Sequence, residues 1–121
     1  MADIPPTHYE EILAQQLEMN PHTLAHLERA GLRPDTKVRL DFMYLAPDKT
    51  AAEALQHLLK QQTDYDVSVR SEGGLLRKKW LLSGQTQPTS ITREILDQWV
   101  TWMVAAGEEA GCEFDGWGTE V

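Results

Sequence analysis

Hydrophobic and polar positions alternate twice in the first two thirds of the chain. In "KVRLDFMYL" (37–45), Val38, Leu40, Phe42 and Tyr44 fall on one face and Lys37, Arg39 and Asp41 on the other, as a half-buried strand requires. "DYDVSVR" (64–70) repeats the alternation through Tyr65, Val67 and Val69. The paired glycines of "SEGG" (71–74) suit a turn, and "LLRKKWLLSG" (75–84) reads as the return strand of a hairpin. Elsewhere the period is helical. "APDKTAAEALQHLLKQQ" (46–62) carries a stripe of Ala51, Ala54, Leu55, Leu58 and Leu59, with Thr50 and Glu53 at capping-box spacing. "QTQPTS" (85–90) is a loop that places an N-cap at Thr89 or Ser90. Residues 91–110 form the longest predicted helix, with Ile91, Ile95, Leu96, Trp99, Trp102, Met103 and Ala106 expected on its buried face.

Both ends add elements. Thr7 and Glu10 have capping-box spacing ahead of Ile12, Leu13 and Leu17, and Asn20-Pro21 has the chemistry of a fresh N-cap and first helical position. Gly31 suits a left-handed cap. The first 31 residues therefore predict two short helices with a bend at Asn20-Pro21. At the other end, Gly111 permits a sharp exit, and Cys112 and Phe114 alternate with Glu113 and Asp115 as a short final strand. Trp117 follows a predicted Asx-turn at Asp115-Gly116, and either packs back on the fold or stands out as a partner anchor.

The order is α-α-β-α-β-β-α-β. Without the leading helices, β-α-β-β-α-β remains. This predicts an α+β fold, a ferredoxin-like sandwich with a four-stranded antiparallel sheet, preceded by two short N-terminal helices. The expected division is a helical pair over residues 1–34 and a ferredoxin-like domain over 35–121, forming one compact unit. The final strand is expected beside the first, which ties Phe114 into the core.

Composition narrows the function. With 121 residues and a 41% hydrophobic fraction, the chain has enough apolar surface for one core. It lacks an apolar run of membrane-spanning length and a secretory-type N-terminus, so a cytoplasmic protein is expected. The net charge is −8, and residues 88–121 carry seven acids and one base. That balance disfavours direct nucleic-acid binding and favours a basic partner.

No acid, base and nucleophile set emerges, so no catalytic residue, cofactor or metal site is expected. His22 and His26 are four apart but lack a third ligand, and Cys112 reads as an inert buried thiol. Glu108 and Glu109 are adjacent and point apart. "RKKW" (77–80) is the one basic run. Arg77, Lys79 and Trp80 are the candidates for stacking and binding single-stranded RNA, against a plainer role in pairing with Asp41 and Asp66 on neighbouring strands.

The ending "EFDGWGTEV" resembles the terminal Tyr/Phe-Asp-Gly-Trp signature of the ribonuclease E inhibitor family, also called regulator of ribonuclease activity B. "RLDFMYLAPDKTAAEALQHLL" and "DYDVSV" are similar to that family's strand–helix and following strand, so the resemblance covers residues 37 to 121. It implies a ferredoxin-like fold and a non-enzymatic protein that binds an endoribonuclease of the ribonuclease E type and restrains it. The charge pattern then nominates Glu94, Asp97, Glu108 and Glu109 of the last helix, with Asp115, Trp117 and Glu120 of the tail, as partner-binding residues. An immunity protein that blocks the basic cleft of a cognate toxin satisfies the same charge pattern.

Overall fold

A computed structural model describes residues 8–73 and 79–120. Three helices, α1 (His8–Arg29), α2 (Lys49–Gln62) and α3 (Arg93–Ala110), accompany six strands: β1 (Lys37–Val38), β2 (Asp41–Ala46), β3 (Asp66–Glu72), β4 (Lys79–Gln85), β5 (Thr89–Ser90) and β6 (Glu113–Gly118). The main sheet has the order β3-β4-β2-β6 with every pair antiparallel, and β1 and β5 form a separate two-stranded ribbon. The final strand does pair with the first long strand. The predicted cap at Thr7, the end of the turn at Gly74 and the predicted strand positions 75–78 lie outside the described residues.

Strand registers explain the core. Val69, Leu82, Tyr44 and Phe114 form one row across the sheet, and Val67, Gly84, Phe42 and Trp117 form the next. The rings of Phe42 and Tyr44 need room toward the helices. A Cβ on Gly84 would come within 2.7 Å of Phe42 Cζ, and one on Gly107 of α3 within 2.7 Å of Tyr44 Cε1, so a glycine faces each ring. The Tyr44 hydroxyl, out of reach of water, donates to the Met103 carbonyl at 2.6 Å. That bond satisfies a group that would otherwise be costly to bury, and burial pushes its pKa far up.

The alternating segment 37–45 is not one strand. Val38, Leu40, Phe42 and Tyr44 are all buried as predicted, but the ladder breaks between β1 and β2. Thr86 bridges the break. Its amide donates to the Leu40 carbonyl at 2.9 Å, and its Oγ1 accepts from the Leu40 amide at 3.0 Å. The chain thereby changes sheets without leaving buried backbone groups unpaired.

Three local expectations are corrected. The leading segment is one 22-residue helix with Pro21 inside it, where two short helices were expected. Proline removes one helical hydrogen bond, but α1 packs along α3 and against β6, and this tertiary contact carries the helix through. Gly31 does end it, with the Leu32 amide donating back to Leu27 at 2.9 Å and the Gly31 amide to Glu28 at 3.1 Å. The cap of α2 is Asp48 rather than Thr50, its Oδ1 accepting from the Ala51 amide at 2.8 Å. The cap of α3 is Thr92 rather than Thr89 or Ser90, because those two residues are spent in β5.

Candidate docking surface

Helix α3 is apolar on most of its circumference, so its sequence admits more than one buried face. Leu96, Val100, Met103, Val104, Ala106 and Gly107 are the residues that the sheet and the neighbouring helices bury. Ile95 and Trp102, expected in the core, are 41% and 39% exposed. They are seven positions apart, two turns on one side, and Gln98 and Ala105 continue the same exposed stripe. Beside it runs a groove between α2 and α3 of about 560 Å³, with Ala54, His57 and Leu58 on one wall and Trp102, Ala105 and Glu109 on the other. Periodicity alone could not find this surface. The one available signal was that "ILDQWVTWMVAA" has more large side chains than one face accommodates.

The nominated carboxylates separate into different environments. Glu94, Glu108 and Glu109 are exposed on α3 and form no ion pair among the described residues. Glu108 and Glu109 stand in the last turn, where the helix dipole disfavours negative charge, and no basic side chain accompanies them there. Asp97 is already engaged. It accepts from Asn20 Nδ2 at 2.9 Å and from Arg93 Nε at 3.2 Å. Glu120 is exposed just past β6.

Asp115 and Trp117 part company at a β-bulge. Met43 pairs with Gly116 and Tyr44 with Phe114, so Asp115 is an extra residue in β6. Gly116, at φ +142°, provides the backbone shape. The expected turn is thus a bulge within the strand. Its effect is to bring Trp117 to the core face that Phe114 already occupies, three residues earlier, while Asp115 remains exposed.

Trp117 is half-buried. Its ring meets Trp99 edge-on at 6.3 Å, and its Nε1 donates to Asn20 Oδ1 at 2.9 Å. Asn20 is fully buried and gives its amide nitrogen to Asp97. One side chain therefore joins α1, α3 and β6 with both of its polar atoms satisfied. Trp99 continues the network, donating from Nε1 to the Tyr65 hydroxyl at 3.0 Å. Thr119 closes the tail onto the Arg39 carbonyl at 2.6 Å.

Of the basic run, only Lys79 and Trp80 are among the described residues. Arg77 lies outside the described residues. Lys79 and Trp80 are successive residues of β4, so they point to opposite sides of the sheet; Lys79 is exposed, and Trp80 packs against the core. Among the described residues, the two aspartates have other partners. Asp66 pairs with Arg39, and Asp41 accepts from Gln85. Cys112 is buried, and desolvation pushes its thiol up to about 11, which leaves little thiolate near neutral pH. His22 and His26 are both exposed on α1, and among the described residues no three metal-ligating side chains cluster. No helix is long and apolar enough to cross a membrane among the described residues.

Fold and surface together define an α+β protein with antiparallel sheets and an acidic, aromatic-bearing helix face. A family model described as regulator of ribonuclease activity B matches residues 17–119. The chain belongs to that family of regulators of ribonuclease activity. The match begins inside α1, earlier than the resemblance drawn from the sequence over 37–121, and takes in Asn20 as well as Trp117. No curated protein matches the chain.

Proposed function

We propose that this chain is a non-enzymatic, cytoplasmic regulator that restrains an endoribonuclease of the ribonuclease E type by docking an acidic surface on a basic region of that enzyme. The observation that carries the reading is the family match together with Glu94, Glu108 and Glu109 standing exposed and outside the ion pairs of the described residues. Acids at a helix C-terminus stabilise nothing in the helix itself, and they gain most from a cation brought by another molecule. Restraint then comes from occupancy. A protein seated on a basic RNA-binding region excludes RNA from it, and charge complementarity steers the encounter. The strand order β3-β4-β2-β6, with α2 and α3 inserted as β-α-β-β-α-β, supports a ferredoxin-like sandwich as the scaffold.

The test is cleavage of a fluorogenic single-stranded RNA by a purified ribonuclease E-type enzyme, with and without the chain, at low and raised salt. Slower cleavage is expected, with the effect shrinking as screening shortens the reach of exposed charge to roughly 8 Å at physiological ionic strength. Unchanged cleavage at saturating chain removes the proposal. Salt-independent capture of the enzyme removes the charge argument.

A further inference from the structure

We propose that Trp102, in the groove between α2 and α3, and Ile95, two turns away on the same exposed stripe of α3, are the anchors of one docking surface, and that its occupant is a basic amphipathic helix of a protein partner. The inference rests on the reading that the chain acts by binding a protein, and it names the surface and the chemistry of the bound segment.

Four observations lead there. First, Ile95 and Trp102 are large apolar side chains left exposed on one side of α3, and tryptophan is among the residues most enriched where binding energy concentrates. Second, they stand about 10 Å apart along the helix axis, the separation of apolar anchors at i and i+7 in a helix laid alongside. Third, Ala54, Leu58, Trp102 and Ala105 put an apolar strip along an adjoining groove whose other lining, His57, Gln61, Gln62 and Glu109, is polar, so that it offers both apolar contact and hydrogen-bonding partners to such a helix. Fourth, the charges that frame this surface on α3 have one sign. Glu94 stands at one end and Glu109 at the other, and Arg93, the helix's one base, is held by Asp97. The acids in the last turn also add to the negative end of the helix dipole, so that end of the frame is more negative than its formal charge. An occupant that meets the groove with apolar side chains and the frame with lysine or arginine satisfies both.

The probe is a synthetic amphipathic peptide of Leu, Lys and Arg at helical spacing, with a twin in which Glu replaces the basic residues. Titrated into the 15N-labelled chain, the basic peptide is expected to shift the signals of Ile95, Gln98, Ala105, Glu109 and the Trp102 indole. The acidic twin is expected to leave them in place. The double variant Ile95→Ala/Trp102→Ala should keep the dispersed amide spectrum and lose about tenfold or more in affinity. Glu108→Lys/Glu109→Lys should move preference toward the acidic twin. Shifts centred on Asp41, Ser68 and Asp115 of the open sheet face, equal binding of the two peptides, or unchanged affinity of the double variant would each overturn the proposal.

Capture of the full-length ribonuclease E-type enzyme separates the two readings. If the unmodified chain captures it and the double variant captures it equally, the groove is refuted and the regulator stands. If the peptide maps to the groove but the unmodified chain captures no enzyme, the groove stands and that choice of target is refuted.

Discussion

Trp99 and Trp102 are three residues apart on the same helix, and they meet opposite fates. Trp99 packs edge-on against Phe42, Phe114 and Trp117, and its indole nitrogen is satisfied by Tyr65. Trp102 is 39% exposed beside a groove. The difference teaches that residue type does not decide whether an aromatic is core or contact. What decides is whether another element of the chain arrives to cover it. Around Trp99, β6 and α1 arrive together, brought by the bulge at Asp115 and the fully buried Asn20. Beside Trp102, among the described residues, the groove is walled by the side of α2.

The contrast is broken most forcefully from the inner side. Trp117→Ala removes a ring packed on both core clusters and leaves Asn20 Oδ1 without its donor. A loss of about 3–5 kcal/mol is expected in urea unfolding. Asn20→Ala keeps the rings and removes only the amide, so Trp117 Nε1 and Asp97 both lose a partner. That variant should lose about 1–3 kcal/mol, with the amides of α1 losing hydrogen-exchange protection before those of β2. On the outer side, Trp102→Ala should stay within about 0.5 kcal/mol of the unmodified chain. A larger loss would make the surface structural.

The smallest effect concerns pH. His8, at the start of α1, bonds to Glu113 of β6, and that carboxylate raises the imidazole pKa from its ordinary value. A raised folded-state pKa means the contribution is fully present below the unfolded value near 6.5 and is lost as pH climbs through the raised one. Protection of the first amides of α1, taken relative to the intrinsic exchange rate at each pH, should therefore fall across that window, and His8→Gln should flatten the change. A first turn indifferent to pH would show that the pair is incidental.

Much of the inner region was legible in the order of residues. The alternation of Val38, Leu40, Phe42 and Tyr44 marks four side chains that are buried, and Phe114 was placed in the core from its spacing to Cys112. The strand break after Val38 was not legible, because it depends on Thr86, 46 positions beyond Leu40. Trp117 defeated the period of two because an inserted residue reverses the faces, and only the ladder with β2 reveals it. The bend expected at Asn20-Pro21 followed sound local rules, and packing against α3 overrode them. The docking surface was the least legible part. Ile95 and Trp102 fit a helical stripe as well as Val100 and Val104 do, and nothing along the chain says which side the sheet will take.

The Asn20–Trp117 bond carries one more consequence. Its ends are 97 positions apart, so on the ribosome the first helix is made long before its seat exists. While β6 is still being threaded out, β2 has an open edge and the buried Asn20 of α1 has Asp97 of α3 but lacks the Trp117 donor for its oxygen. The molecule therefore finishes folding only when the last strand emerges. A stalled or prematurely stopped chain presents that unfilled edge to its neighbours, which is a template for clumping.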